Sequence, residues 1–140
     1  MTVSITADLD ASVEDVWAII SDFAHLGRWH PDVVDVTTEG TGVGATRRIA
    51  FADWWVVERL DRLDNENHVL GYSVIDASRP PVIGVSGSMS LSAVDATHAR
   101  LYWESGQQAG HPMADQINAG LEAYYPTRVG HLRAALQSVS

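Results

Sequence analysis

The amino-acid sequence predicts an α+β fold, in which a seven-stranded antiparallel sheet carries all of its helices on one side. Segments that alternate apolar and polar residues follow one another through the middle of the chain, separated by turns. One further alternating segment begins the chain, and two short helical segments follow it. The C-terminal part repeats apolar residues at helical spacing over a much greater length. At 140 residues, the chain is expected to form a single domain spanning residues 1–140.

The N-terminal segments have clear start and stop signals. Residues 2–9 alternate in polarity and are expected to form a strand. Ser12 and Asp15 come close to a capping box, in which a serine oxygen accepts a backbone N–H at the start of a helix. A second short helix is expected over residues 23–29, because Pro31 disfavours helical backbone immediately before it.

Six strands are expected in the middle of the chain, since glycine, Asp-Asn and Arg-Pro-Pro clusters interrupt the alternating pattern. A three-residue loop at residues 95–97 sets Met89 opposite Trp103 and Leu91 opposite Leu101. The six strands are expected at residues 33–38, 46–51, 54–63, 69–77, 83–93 and 99–107.

A long C-terminal helix is expected over residues 112–139. Proline is tolerated in its first turn, whereas Pro126 lies inside the helix and is expected to kink it. The apolar stripe expected to face the sheet consists of Met113, Ile117, Leu121, Tyr124, Leu132 and Leu136. One helix cannot fill the concave face of such a sheet, so the remaining space holds either an aromatic core or a ligand cavity.

The composition excludes several classes of function. Nine basic against 18 acidic residues give a formal charge of −9, which argues against a nucleic-acid partner and against an anionic membrane surface. No cysteine is present, and all nine basic residues are arginine, which excludes thiolate chemistry and lysine Schiff bases. No apolar stretch is long enough to span a bilayer, and residues 1–10 lack the pattern of a secretory signal. A cytoplasmic location is therefore expected.

Motifs for metal binding and for nucleophilic catalysis are missing from the sequence. The six histidines do not occur at H-x-x-x-H or H-E-x-x-H spacing, and no serine lies in a G-x-S-x-G motif. The glycines at residues 40–44 lack the G-K-[ST] sequence of a phosphate loop. We therefore expect neither a metal site nor a bound cofactor.

The hairpin at residues 52–53 predicts the register of its two strands. With a two-residue loop, Arg47 lies opposite Glu58 on a face of the sheet that is otherwise apolar. Tyr72 of the following strand is expected near this pair if the loop between the two strands has an odd number of residues. Burying an ionisable pair in apolar surroundings is costly. The pair is therefore either a structural ion pair that fixes the register or an acid/base unit at the bottom of a pocket.

Five segments together resemble the SRPBCC superfamily, and more narrowly the polyketide cyclase/dehydratase-like branch of the START and birch-pollen-allergen-like proteins. They are RWHPDV at 28–33, GVGATRRIAF at 42–51, VVERLDRLD at 56–64, LGYSV at 70–74 and ARLYWES at 99–105. The resemblance covers nearly the whole chain and implies a helix-grip fold, in which the sheet wraps around the C-terminal helix and a deep apolar cavity. The matching positions include Trp29, His30, Pro31, Arg47, Glu58, Tyr72 and Trp103, whereas Asp53-Trp54-Trp55 replaces a small glycine-rich turn.

The candidate catalytic residues are Glu58, Arg47, Tyr72 and His30. The first three form the polar cluster, and His30 either relays protons near the cavity entrance or packs between loops. The Tyr124 hydroxyl is expected either to donate to a ligand carbonyl or to fill the core. The candidate ligand-binding residues are Trp29, Ile49, Phe51, Trp54, Val56, Val74, Val85, Met89, Leu101, Trp103, Ile117, Leu121, Tyr124 and Arg128.

These residues predict a cofactor-independent enzyme of the cyclase, dehydratase or isomerase type, acting on a small hydrophobic, carbonyl-bearing, polyketide-type intermediate. The alternative is a non-catalytic carrier or sensor of a small hydrophobic ligand, in which the Arg47–Glu58 pair is purely structural. A third class, a protein-interaction domain, requires a collapsed cavity. The expected partner is a small hydrophobic molecule, and the protein itself is expected to be a monomer or a homodimer.

Overall fold

The computed structural model of the protein describes residues 2–137 and has the predicted α+β, helix-grip architecture. Its seven strands form one antiparallel sheet in the order β1-β7-β6-β5-β4-β3-β2. The elements in chain order are β1 (Val3–Leu9), α1 (Val13–Ile20), a first 3₁₀ turn (Leu26–Arg28), β2 (Asp35–Glu39), β3 (Thr46–Ala50), β4 (Trp55–Asp64), β5 (Val69–Ala77), a second 3₁₀ turn (Pro80–Val82), β6 (Ser86–Asp95), β7 (His98–Gly106) and α2 (Ala114–Gln137).

Two predicted registers are confirmed. In the β3–β4 hairpin, Arg47 lies opposite Glu58, as a two-residue loop requires. In the β6–β7 hairpin, Met89 lies opposite Trp103. Because side chains on a strand alternate between the two faces of the sheet, these registers determine which residues point toward α2.

The two helical segments after β1 differ in length from the prediction. The Ser12 side chain caps α1 by accepting a hydrogen bond from the backbone N–H of Asp15 at 3.2 Å, as expected. The second helix, predicted over residues 23–29, is only the 3₁₀ turn Leu26–Arg28. Its backbone bonds mostly join residues three apart. Gly27 lowers the helical propensity of this short segment, which has too few residues to continue.

Strand β6 begins later than predicted. Alternation predicted a strand from residue 83, but the chain forms the second 3₁₀ turn and reaches β6 only at Ser86. Gly84 has a φ of +98°, a conformation that interrupts a strand and that favours glycine. Residues 79–84 therefore form a loop at one end of the sheet.

The long helix α2 packs against β1 and β7. Pro126 lies inside it, where it removes one backbone hydrogen bond, and the predicted kink at this residue stays a prediction. The last two residues of the predicted helix, 138 and 139, lie outside the described residues. Within residues 2–137, no helix combines the length and the apolar character that crossing a membrane requires.

The core lies between the concave face of the sheet and the helices. Helix α1 contacts β6 and β7 and covers that end of the sheet. Leu9, Val16, Leu101 and Leu132 are among the side chains that are completely buried. The part of the concave face that α1 leaves uncovered faces α2.

Candidate functional site

A cavity of about 740 Å³ lies within the fold, between the sheet and α2. This volume is typical of sites that bind small molecules. The interior of the fold is therefore not collapsed, whereas the protein-interaction domain considered above requires a collapsed cavity. The predicted site residues that line the cavity are Trp29, His30, Arg47, Ile49, Phe51, Trp54, Val56, Glu58, Tyr72, Val74, Val85, Met89, Trp103, Ile117, Leu121, Tyr124 and Arg128.

Leu101 was predicted to bind ligand, and this placement is wrong. The residue is fully buried on β7 and does not line the cavity. It lies opposite Leu91 on β6 and Ala7 on β1, in the part of the core on which α1 packs. The alternating pattern identifies the inward face of a strand, but it does not tell which stretch of that face a helix covers.

Arg47 and Glu58 form a buried ion pair on the cavity wall, as the register predicted. Arg47 Nε and Nη2 both donate to Glu58 Oε1, at 2.9 and 2.7 Å, and Nη1 donates to the Phe23 carbonyl at 3.0 Å. Only 9% of the Arg47 side chain and 13% of the Glu58 side chain are exposed. All three nitrogens of Arg47 therefore bind protein atoms, whereas Glu58 Oε2 has no hydrogen-bond partner among residues 2–137.

Tyr72 lies on the same cavity wall as Glu58, two residues away from it along the sheet. It lies opposite Leu60 on β4, while Glu58 lies opposite Val74. The bulge after Leu60 produces this pairing, since the register of Arg62 and Gly71 would otherwise continue and set Tyr72 opposite Asp61, on the other face of the sheet. Tyr72 and Glu58 therefore both line the cavity.

The Tyr72 hydroxyl is positioned as a hydrogen-bond donor to the cavity. It accepts a hydrogen bond from Trp103 Nε1 at 3.1 Å, and its own proton has no acceptor among residues 2–137. Burial, and then the negative charge of Glu58, raise the pKa of Tyr72 well above its usual range, so the hydroxyl stays protonated. Gly87 makes room for the ring, because a Cβ there would lie 2.5 Å from the hydroxyl oxygen.

The prediction that Tyr124 faces the sheet is wrong, and its neighbour Tyr125 does so instead. Tyr125 is 3% exposed, and its hydroxyl accepts from Ser105 and donates to the Val3 carbonyl at 3.1 Å. Tyr124 is 57% exposed and lies at the cavity rim. In a helix with 3.6 residues per turn, the third and fourth positions after Leu121 both fit the stripe. Periodicity therefore did not separate two adjacent tyrosines.

His30 is a buried part of the cavity wall. Its ring lies 5.5 Å from that of Phe51, and its Nδ1 is buried with no hydrogen-bond partner among the described residues. Burial, and then the positive charge of Arg128, lower the pKa of His30 to about 4. The imidazole is therefore neutral near pH 7 and combines one N–H donor with one acceptor nitrogen.

The Asp53-Trp54-Trp55 segment, where the chain departs from the resembled family, forms part of the cavity wall. The Trp54 ring stacks on Phe51, with centroids 4.7 Å apart. The Arg79 guanidinium lies 4.7 Å from the centre of the Trp54 ring and 3.3 Å from Asp53. Trp54 thus closes one side of the cavity, while Trp55 does not line it.

Arg128 lies on the other side of the cavity mouth. Its guanidinium is 4.9 Å from the centre of the Tyr124 ring, and Nη1 is 3.3 Å from Asp32 Oδ2. His131 Nδ1 lies 3.5 Å from the same nitrogen. Cationic and acidic side chains are equal in number along the cavity, namely Arg47, Arg79, Arg128, Asp32, Asp53 and Glu58.

Sequence reasoning missed Gln107, a buried amide that anchors the loop before β6. Its Nε2 donates to the carbonyls of Pro81 and Ile83 at 2.9 and 2.8 Å, and its backbone N–H donates to Asn118 Oδ1 at 2.7 Å. The only sequence signal is a polar residue at the end of a strand. Gln107 does not line the cavity, whereas Ser105 lines it and was not predicted.

The histidine and carboxylate side chains do not form a metal site: in the part of the chain that the structure describes, no group of three or more such ligands is arranged to hold a metal ion. Several hydrogen-bonding side chains line the cavity. These are the Glu58 carboxylate, the Tyr72 hydroxyl, the His30 imidazole and the guanidinium groups at the mouth.

Comparisons with solved structures show the same fold. A protein from Bacillus thuringiensis is 19% identical, with a TM-score of 0.80 over 98% of this chain and 99% of that one. A protein from Thermobifida fusca is 22% identical, with a TM-score of 0.79 over 99% and 95%. Ara h 8.0201, a birch-pollen-allergen-like protein, is 14% identical, with a TM-score of 0.77 over 99% and 98%. At these identities the likeness shows the fold alone.

The family is shown by the sequence match. No curated protein matches the chain. The family model described as polyketide cyclase/dehydrase and lipid transport matches residues 1–137, nearly the whole chain. Its helix-grip architecture and its birch-pollen-allergen-like neighbour agree with the resemblance found in the sequence. The chain therefore belongs to the polyketide cyclase/dehydrase and lipid transport family within the SRPBCC superfamily.

Proposed function

We propose that the protein is a cofactor-independent enzyme that moves a proton at the carbon next to a carbonyl group of a small apolar substrate. The reaction class includes cyclisation, dehydration and isomerisation of a polyketide-type intermediate. The observation that supports it is the pairing of a carboxylate with one free oxygen, Glu58, and a protonated phenol, Tyr72, on one wall of an apolar cavity. The family membership supports ligand binding, and the chemistry is inferred from these two side chains.

Glu58 has the features of a general base. Arg47 holds Oε1 with two hydrogen bonds, which orients the carboxylate. The free Oε2 takes the proton from the carbon, and the electron pair of that C–H bond moves toward the carbonyl oxygen. In isomerisation the same carboxyl returns the proton to carbon, and in dehydration it delivers the proton to the departing hydroxyl group.

Tyr72 has the features of an oxyanion stabiliser. Its raised pKa means that it donates a hydrogen bond to the developing negative charge without losing its proton. The bond that it accepts from Trp103 fixes the hydroxyl and polarises it toward the cavity. The apolar walls exclude water, so each of these interactions is stronger than it would be in solution.

A carrier or sensor is the second candidate function, and one observation favours it. Arg47 Nη1 donates to the carbonyl of Phe23, so the ion pair also anchors the chain segment that follows α1. A purely structural pair would perform this task without chemistry. The two functions differ in whether the bound molecule is changed.

The experiment follows α-proton exchange of β-tetralone, an apolar ketone, in D₂O by NMR. The wild-type protein should accelerate exchange, and Glu58→Gln should slow the protein-dependent rate about 100-fold while the Kd for the ketone changes about twofold at most. Glu39→Gln, at an exposed position of β2, is the matched control and should exchange like the wild type. Binding of the ketone with no acceleration by the wild type would instead identify a carrier.

A further inference from the structure

Arg128 differs from the other cavity arginines in its burial and its contacts. Only 16% of its side chain is exposed, compared with 54% for Arg79. Its ion pair with Asp32 measures 3.3 Å, longer than the usual charge-assisted hydrogen bond. Because the Asp32 side chain is already 65% exposed, rotating it away from the cavity mouth would hydrate its carboxylate fully. By contrast, each nitrogen of Arg47 already has a protein acceptor.

The side chains around Arg128 position its guanidinium to bind an anion other than Asp32. The Tyr124 ring supports its plane at 4.9 Å. His131 lies beside Nη1, and the positive charge of Arg128 acts on His30. The negative charge of Asp32 opposes that of Arg128 at His30. A ligand that extends from the cavity meets this weakly held cation where it leaves the apolar walls.

We propose that Arg128 binds a carboxylate of the cavity ligand in place of Asp32, so that the substrate is an apolar organic acid with its acid group at the mouth. This inference rests on the proposed function, because it requires that an apolar carbonyl compound occupies the cavity. A carboxylate fits because the present partner is itself a carboxylate and a guanidinium binds that group through two parallel hydrogen bonds. A carboxylate takes over the single charged contact that Asp32 makes with Arg128, whereas a doubly charged phosphate would bring a second negative charge that this arginine does not balance.

The test measures binding of dansyl-labelled undecanoic acid and of its neutral methyl ester by fluorescence. The wild type should bind the acid about tenfold more tightly than the ester, and Arg128→Gln should abolish that preference by weakening the acid alone. Arg100→Gln is the matched control, since this arginine also pairs with an aspartate but lies outside the cavity. It should keep the preference, because an exposed charge pair is weak.

A second readout keeps the proposal testable if Arg128→Gln fails to fold. The carboxylate of the bound acid should be less exposed to water than Asp32, which is 65% exposed, so its charge should raise the pKa of His30 in the wild type, measured by NMR titration, whereas the ester should not. Besides Arg128, the charged or titratable groups that act on His30 are Asp32 and His131. The ester headgroup is uncharged and forms no ion pair with any of them. Equal binding of acid and ester by the wild type overturns the carboxylate site alone. Failure to bind either compound overturns the carboxylate site and the proposed function together.

Discussion

Replacing Arg47 with methionine is expected to lower the free energy of unfolding by about 3–5 kcal/mol. The variant keeps the bulk of the side chain but leaves the Glu58 carboxylate, 13% exposed, without its counterion. It also removes the donor to the Phe23 carbonyl. A charge buried without a partner is far more costly than the pair itself, because the charge has lost its hydration and gains nothing in return. Chemical denaturation monitored by tryptophan fluorescence measures the loss.

Two further variants show whether the loss comes from the buried charge. In Arg47→Met/Glu58→Gln the charge is gone, so most of the lost stability should return. Arg100→Met breaks an ion pair with Asp8 whose two side chains are 51% and 60% exposed, and it should have a much smaller effect. A double variant that is no more stable than Arg47→Met would show that the pair is not held by mutual charge neutralisation.

Acid is expected to destabilise the protein through His30 by about 3 kcal/mol, since one pKa unit corresponds to about 1.4 kcal/mol. The pKa of His30 falls from 6.5 to about 4 on folding, because the ring is buried and Arg128 is close. The unfolded chain therefore binds more protons between these two values. The stabilisation is complete above pH 6.5 and is lost as the pH falls to about 4.

The measurement compares unfolding curves of the wild type and His30→Leu over this pH range. Leucine removes the titrating group, and its effect on packing is the same at every pH, so the difference in stability between the two proteins isolates the protonation of His30. The wild type should lose stability relative to the variant as the pH falls. A constant difference between pH 6.5 and pH 4 would contradict the burial of a neutral imidazole in the cavity wall.

The sequence predicted the parts of the site that depend on strand register. The two-residue loop at residues 52–53 was enough to pair Arg47 with Glu58, because loop length fixes which residues of a hairpin face each other. The bulges in β4 were not visible in the sequence, since they depend on how the sheet curves around α2. The bulge after Leu60 sets Tyr72 opposite Leu60 rather than Asp61, and so brings it to the same face as Glu58.

The other wrong predictions concern pairs of residues that fit the same local sequence pattern. Only tertiary packing decides which residue of each pair is buried in the core and which lines the cavity. Tyr124 and Tyr125 both fit a helical stripe, and only contact with Ser105 and Val3 shows which one is buried. Leu101 carries the same inward-facing pattern as its cavity-lining neighbour Trp103, yet α1 covers its end of the sheet. The sequence contains no local signal for which part of a concave face stays empty.

The most direct test of the account is a crystal structure of the protein with β-tetralone bound. We expect the ketone inside the cavity, with its oxygen within hydrogen-bond distance of the Tyr72 hydroxyl and its acidic carbon against Glu58 Oε2. A ketone bound outside the cavity, or inside it with the oxygen turned away from Tyr72, would contradict the assignment of these two side chains to proton transfer.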